Sequence, residues 1–176
     1  GDDAASLRWQ LASLQKMRWN PEERSKMADQ SLGSTTIVQV GIIVDDIEAK
    51  ARAWASILGL PVPEIRLTDP AEFTQAEYKA QPTTARAKLA FFREGPISLE
   101  LIEPVGEPST WKDQLDGHGS SLHHVAFQIK GMKEKVAFLE GQGIPLVQRG
   151  EYTGGRYAYF DGVAQLGAIL ELLEND

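Results

Sequence analysis

Two glutamates stand where a solvated residue is not expected. In Leu99, Glu100, Leu101 and again in Leu170, Glu171, Leu172 a carboxylate is set inside an apolar strand, and the two-residue period of a strand turns it to the face opposite its leucine neighbours. A carboxylate on a dry face is costly unless it is paired or holds a cation. Two further polar residues fall at matching places in a pair of similar segments: Val38 to Ile43 align with His123 to Gln128, which sets Gln39 against His124. A lone strand glutamate is usually half exposed and a lone histidine usually a wall residue. Four polar side chains at equivalent places in two repeats instead indicate one shared site.

Alternation places His124 toward a cleft and His123 toward a helix or another chain. Glu103 and Glu174, at strand ends, are expected to be solvated. Gly154, Gly155 and Arg156 form a turn that could contact a substrate anion, because glycine permits close backbone approach and arginine offers a fixed donor fork. Tyr152, Tyr157, Tyr159 and Phe160 are expected to line or pack the second sheet. His118 lies in a glycine-rich connector and receives no role.

The elements that must position these residues repeat. Thr36 to Val44 reads as a strand, Asp45 and Asp46 can cap a helix with the apolar face Ile47, Ala51, Trp54, Ala55 and Leu58, and Gly59 ends it. Ile65 and Leu67 suggest a short strand, and Ala85 to Phe92 and Ile97 to Ile102 a hairpin. The pattern returns as the strand Leu122 to Ile129, the helix Met132 to Glu140, and the strands Leu146 to Arg149, Arg156 to Phe160 and Ala168 to Leu173. Self-similarity over so long a period marks a duplicated unit. The expected organisation is α+β with paired βαβββ modules: a helical N-terminal arm and linker over residues 1–35, a first module over 36–103, a connector over 104–121 and a second module over 122–176. A helix covers one face of each module's sheet, and the two open faces must curl together into a cleft.

Composition narrows the chemistry. The 176 residues hold no cysteine, which removes disulfides, thiolate nucleophiles and cysteine-bound metals, so any metal must be held by oxygen and nitrogen. A formal charge of -7 with scattered basic residues disfavours nucleic acid as a partner. No apolar run is long enough for a membrane span and no signal peptide is visible, so a cytoplasmic protein is expected.

The stretches VQVGIIVDDIEAKARAWASILGLP, ISLELIEP, LHHVAFQIKGMKEKVAFLEGQGIP and GAILELLE together resemble the vicinal oxygen chelate superfamily, also called the glyoxalase, bleomycin resistance and dioxygenase group, and within it methylmalonyl-CoA epimerase. The resemblance covers residues 36 to 174. It implies one divalent metal per chain, held at Gln39, Glu100, His124 and Glu171. Such a donor set suits Zn, Co, Ni, Mn or Mg, and an ion there would chelate a substrate carbonyl and ease removal of the neighbouring α-proton. Glu171 is the expected proton carrier. The implied activity is a metal-dependent isomerase acting on a small carbonyl compound or acyl thioester, in a homodimer. A glyoxalase I-like lyase is the alternative, and a non-catalytic, resistance-type binding protein a third.

Three departures bear on the choice. The epimerases usually show histidine where this chain has Gln39, and the set Gln, Glu, His, Glu looks like that of the eukaryotic type of glyoxalase I. The glutamate that epimerases use just before the third strand has no counterpart in Pro82, Thr83, Thr84 and Ala85. Against glyoxalase I, its glutathione-clamping arginine has no counterpart near Ile43 and Val44.

Overall fold

The computed structural model describes residues 31–176. The helical arm expected at the N-terminus lies almost wholly outside these described residues.

Strand β1, Ile37–Ile43, is rich in β-branched residues and alternates buried with half-buried positions. It leads into helix α1, Ile47–Leu58, where Asp46 accepts a hydrogen bond from the Ala49 amide at 2.9 Å and Gly59 closes the helix in the left-handed conformation. A side-chain oxygen at that first position satisfies one amide that the helix leaves unpaired. Ile47, Ala51 and Ala55 on α1 pack with Ala90, Phe92 and Leu101, so the helix covers one face of the first sheet. The remaining strands of this half are β2 (Arg66–Leu67), β5 (Arg86–Phe92) and β6 (Ser98–Val105). Between β2 and β5 come the short helix α2 (Ala71–Thr74) and the two-residue strands β3 (Glu77–Tyr78) and β4 (Gln81–Pro82).

Helix α3, Thr110–His118, lies within the connector and is capped by Ser109, whose hydroxyl accepts from the Lys112 amide. The exposed His118 closes its last turn. The second half contains β7 (Ser121–Gln128), α4 (Met132–Gly141), β8 (Leu146–Tyr152), β9 (Gly155–Phe160), a short α5 (Val163–Leu166) and β10 (Ile169–Asn175).

The ten strands of the described residues form one curled sheet in the order β2, β5, β6, β1, β7, β10, β9, β8, β3, β4. The two βαβββ halves meet edge to edge where β1 pairs antiparallel with β7. Each half places its last strand beside its first, through the parallel pairs β1 with β6 and β7 with β10. The β3–β4 hairpin leaves the first half and adds to the outer edge of the second through Glu77 opposite Arg149 and Tyr78 opposite Gln148. Arg149 holds Glu77 with two hydrogen bonds, at 2.7 and 3.0 Å. This strap ties the far edges of the sheet together.

Glu103 and Glu174, expected to be solvated, are half-buried and engaged in hydrogen bonds. Glu103 accepts from the Ile47 amide at 2.8 Å and from Lys88 at 2.7 Å. Glu174 accepts from the Gly131 and Met132 amides at 2.5 and 3.3 Å and from Arg156 at 2.8 Å. Each carboxylate thus leaves the end of its module's last strand and binds the N-terminus of its module's helix, where the peptide dipoles favour negative charge. Among the described residues no helix is long and apolar enough to cross a membrane.

Candidate metal centre

The central strands β6, β1, β7 and β10 bring two rows of side chains across the concave face. One row runs Glu100, Gly41, His124, Ile169, and the next Ser98, Gln39, Ala126, Glu171. In each row a small residue, Gly41 or Ala126, separates two polar ones, so the larger side chains can lean together over it. The result is one buried group of four polar side chains, Gln39, Glu100, His124 and Glu171.

Their functional atoms converge. Gln39 Nε2 donates to Glu100 Oε2 at 2.8 Å and to Glu171 Oε2 at 3.3 Å, and lies 3.4 Å from His124 Nε2. His124 Nε2 lies 3.1 Å from Glu171 Oε2 and 3.4 Å from Glu100 Oε2. A half-turn of the Gln39 amide exchanges nitrogen for oxygen at the same point. The spacing fits a hexacoordinate ion, since ligand bonds of about 2.1 Å put neighbouring donors about 3 Å apart. Glu100, His124 and Glu171 each offer one ligand atom, all within 4.8 Å of one another. One nitrogen and three oxygens suit a divalent ion of intermediate hardness.

The electrostatics favour a cation. Burial lifts Glu100 to about 8 despite the opposing pull of His124, and Glu171 adds to the rise. Burial also disfavours a charged His124, but Glu171 and Glu100 outweigh it and the histidine is raised. A divalent cation would remove the cost of gathering two carboxylates in a dry site.

His123 does not turn to the opposite face. Gly41 pairs with His124 while Ile42 pairs with Leu122, so His123 is the extra residue of a β-bulge, which breaks the two-residue alternation. Its ring is buried, with Nδ1 3.0 Å from Nδ1 of His124. Burial and the neighbouring His124 push it down to about 3, so it is neutral. The Tyr159 ring lies 5.2 Å from that of His123 and 5.1 Å from that of His124, and its oxygen accepts from Trp111 Nε1 at 3.3 Å. Trp111, from the connector helix, thereby backs the wall behind the histidines.

Above the four polar groups opens a cavity of about 590 Å³, lined by Gln39, Glu100 and Glu171 with Leu89, Phe91, Tyr157 and Tyr159, and by the charged residues Arg66, Asp69, Arg93 and Glu151. Arg93 stacks on Phe91, 4.2 Å from the ring centre. Asp69, Glu151 and Arg93 were not singled out in the sequence, because the rim is assembled from turns and strand ends without a periodic pattern. Thr83 is buried and donates to the Pro108 carbonyl at 2.8 Å, Thr84 is exposed, and Ala85 lines the cavity.

Arg156 stands away from these four residues, on a separate depression lined also by Met132, Val136 and Glu174. Its guanidinium reaches Glu174 and Asp176 at 2.8 Å and Glu151 at 3.5 Å. Thr153 and Gly154 form the β8–β9 turn and Gly155 opens β9, where a side chain on Gly155 would overlap the Glu174 carbonyl and the Tyr152 ring. Gly155 thus serves close packing of strands, Gly154 takes the positive φ of the turn, and three carboxylates already surround the arginine.

The family model of the Glyoxalase/Bleomycin resistance protein/Dioxygenase superfamily matches residues 38–160. The chain belongs to this superfamily. An uncharacterized protein, YqjC of Bacillus subtilis (strain 168), is 32% identical over 92 residues, which cover 51% of this chain and 66% of that protein. Among solved structures, a hypothetical protein from Bacillus halodurans C-125 superposes with a TM-score of 0.57 at 19% identity, over 80% of this chain and 94% of that one. Methylmalonyl-CoA epimerase from Mycobacterium tuberculosis gives 0.54 at 20% identity, over 83% and 91%. The epimerase from Streptomyces coelicolor in complex with 2-nitronate-propionyl-CoA gives 0.56 at 20% identity, over 82% and 96%. These likenesses establish the superfamily fold for this chain.

Proposed function

We propose that this protein is a metal-dependent isomerase of the epimerase type, acting on the α-proton of a small acyl thioester or related carbonyl compound. The observation that carries the reading is the convergence of Gln39, Glu100, His124 and Glu171 to within 2.8–3.4 Å at a cavity of about 590 Å³. A divalent ion held by these four residues supplies Lewis-acid polarisation of a carbonyl, which acidifies the neighbouring α-proton.

The protein's own groups do the rest. Glu171 faces the cavity and holds the transferred proton. Leu89, Phe91, Tyr157 and Tyr159 exclude water from the reacting carbon. Arg93 at the rim attracts an anionic portion of the substrate, a task the overall charge of -7 leaves to local groups. One chain provides all four donors, so a homodimer would associate through surfaces outside the centre.

The second reading, a glyoxalase I-like lyase, is favoured by Gln39, where the epimerases usually carry histidine. Exchange in deuterated water, followed by NMR, separates the two. Protein loaded with Co²⁺ or Zn²⁺ is expected to place deuterium at the α-carbon of methylmalonyl-CoA faster than metal alone. Turnover of a hemithioacetal without thioester exchange would replace the epimerase reading by the lyase. Inactivity on both by metal-loaded protein would favour a binding protein.

A further inference from the structure

We propose that His123 is a positioning residue that accepts a hydrogen bond from His124 and so leaves Nε2 of His124 free to bind a cation. The inference rests on the metal reading above and concerns a residue outside the four donors.

The two Nδ1 atoms are 3.0 Å apart, so one carries a proton and the other accepts it. His124 Nε2 faces Glu171 and Glu100 at 3.1 and 3.4 Å. A donating His123 would force the proton of a neutral His124 onto Nε2, the atom aimed at the site. The reverse arrangement leaves that nitrogen's lone pair available and places the proton of His123 on its own Nε2. A backbone hydrogen bond with Thr110 favours a proton on the His123 ring, although it is a poor one, since the buried Nε2 has no partner in good hydrogen-bond geometry. The lack of a good second bond leaves the contact with His124 as the one that orients the ring.

The fold goes to some length to make this contact. Regular alternation would separate adjacent side chains onto opposite faces, and the bulge at His123 brings them together. The Tyr159 ring then packs against both imidazoles. Metal-bound histidines are commonly oriented in this way by an acceptor at the other ring nitrogen, and loss of the acceptor typically costs about 10- to 100-fold in metal affinity.

Nitrogen NMR on the wild-type protein tests the hydrogen bond directly, with and without Zn²⁺. The expected result is a neutral His123 protonated at Nε2, with a coupling across the hydrogen bond to His124 Nδ1. A His123 protonated at Nδ1 would overturn the proposal. Zn²⁺ titration supplies the second measure: His123→Phe, which keeps a ring but no acceptor, should lose about 10- to 100-fold in affinity. His123→Asn, whose side-chain oxygen falls near the position of Nδ1, should recover most of it. Equal losses in two folded variants, or none in either, would also overturn it. Failure of the wild type to bind Zn²⁺ would instead count against the metal reading, and the spectrum of the metal-free protein would still decide the hydrogen bond.

Discussion

Gly41 on β1 sits directly opposite His124 on β7, and a Cβ built on Gly41 would overlap the imidazole ring. The ring lies flat over the neighbouring strand because that strand offers no side chain there. This is what lets Nε2 reach Glu100 and Glu171 on strands to either side. Gly41 needs no unusual backbone angle, so its role is space alone.

A Gly41→Ala change should therefore move His124 while leaving the strands paired. Overpacking of this kind costs about 1–3 kcal/mol, and the displaced ring should weaken Zn²⁺ binding at least about tenfold. Calorimetric titration and thermal melts measure the two effects. Wild-type affinity in the variant would show that the ring has another place to stand.

Metal analysis of protein purified without chelators should find about one divalent ion per chain, with a steep fall in His124→Ala, because removing a ligand from a closed donor set abolishes most of its affinity. An unchanged metal content in His124→Ala would place the ion elsewhere.

The duplicated plan was legible because each level of the sequence agreed with it. Leu-Glu-Leu occurs twice, Gln39 and His124 occupy matching strand positions, and Gly41 and Ala126 fall two residues after each. Periodicity of two carried the four polar residues to one face, and the structure brings all four together. Periodicity also explains what went wrong with His123, since a bulge inserts one residue and is invisible to a pattern that assumes none. Glu103 and Glu174 were misread because strand ends are usually wet, whereas these two cap helices far away in sequence. The strap over Glu77–Pro82 pairs with a strand of the other half, a long-range partnership that no local signal records.

Glu174 should contribute to acid sensitivity. Its hydrogen bond with Arg156, aided by the Gly131 and Met132 amides, holds its carboxyl below the usual carboxylate value. A depressed folded pKa gives stability that is fully present above the unfolded value of about 4.3 and is lost as pH falls through the folded value. Glu174→Gln should thus be less stable than wild type at pH 7, with the gap narrowing below about pH 4. Urea denaturation across that range measures it. A constant gap would assign the effect to packing and not to charge.

The chemistry depends on how many protons the cleft can handle. On the proposed isomerase reading, Glu171→Gln keeps an oxygen donor and removes the base, so exchange of the α-proton should fall by about 10²-fold or more, while some metal remains bound. Exchange on one face returns the deuteron to the side it left, and inversion needs a donor on the other side. The stretch where the epimerases carry their second glutamate here reads Pro82, Thr83, Thr84, Ala85, and of these Ala85 lines the cavity while Thr84 is exposed. Ala85→Glu should raise the ratio of inversion to exchange, and Thr84→Glu, one residue away, should not. Both rates are read in one sample from the deuterium content and the configuration of the recovered thioester. If Glu171→Gln exchanges as fast as wild type, the base is another cavity carboxylate, and Asp69 and Glu151 at the rim become the groups to replace next.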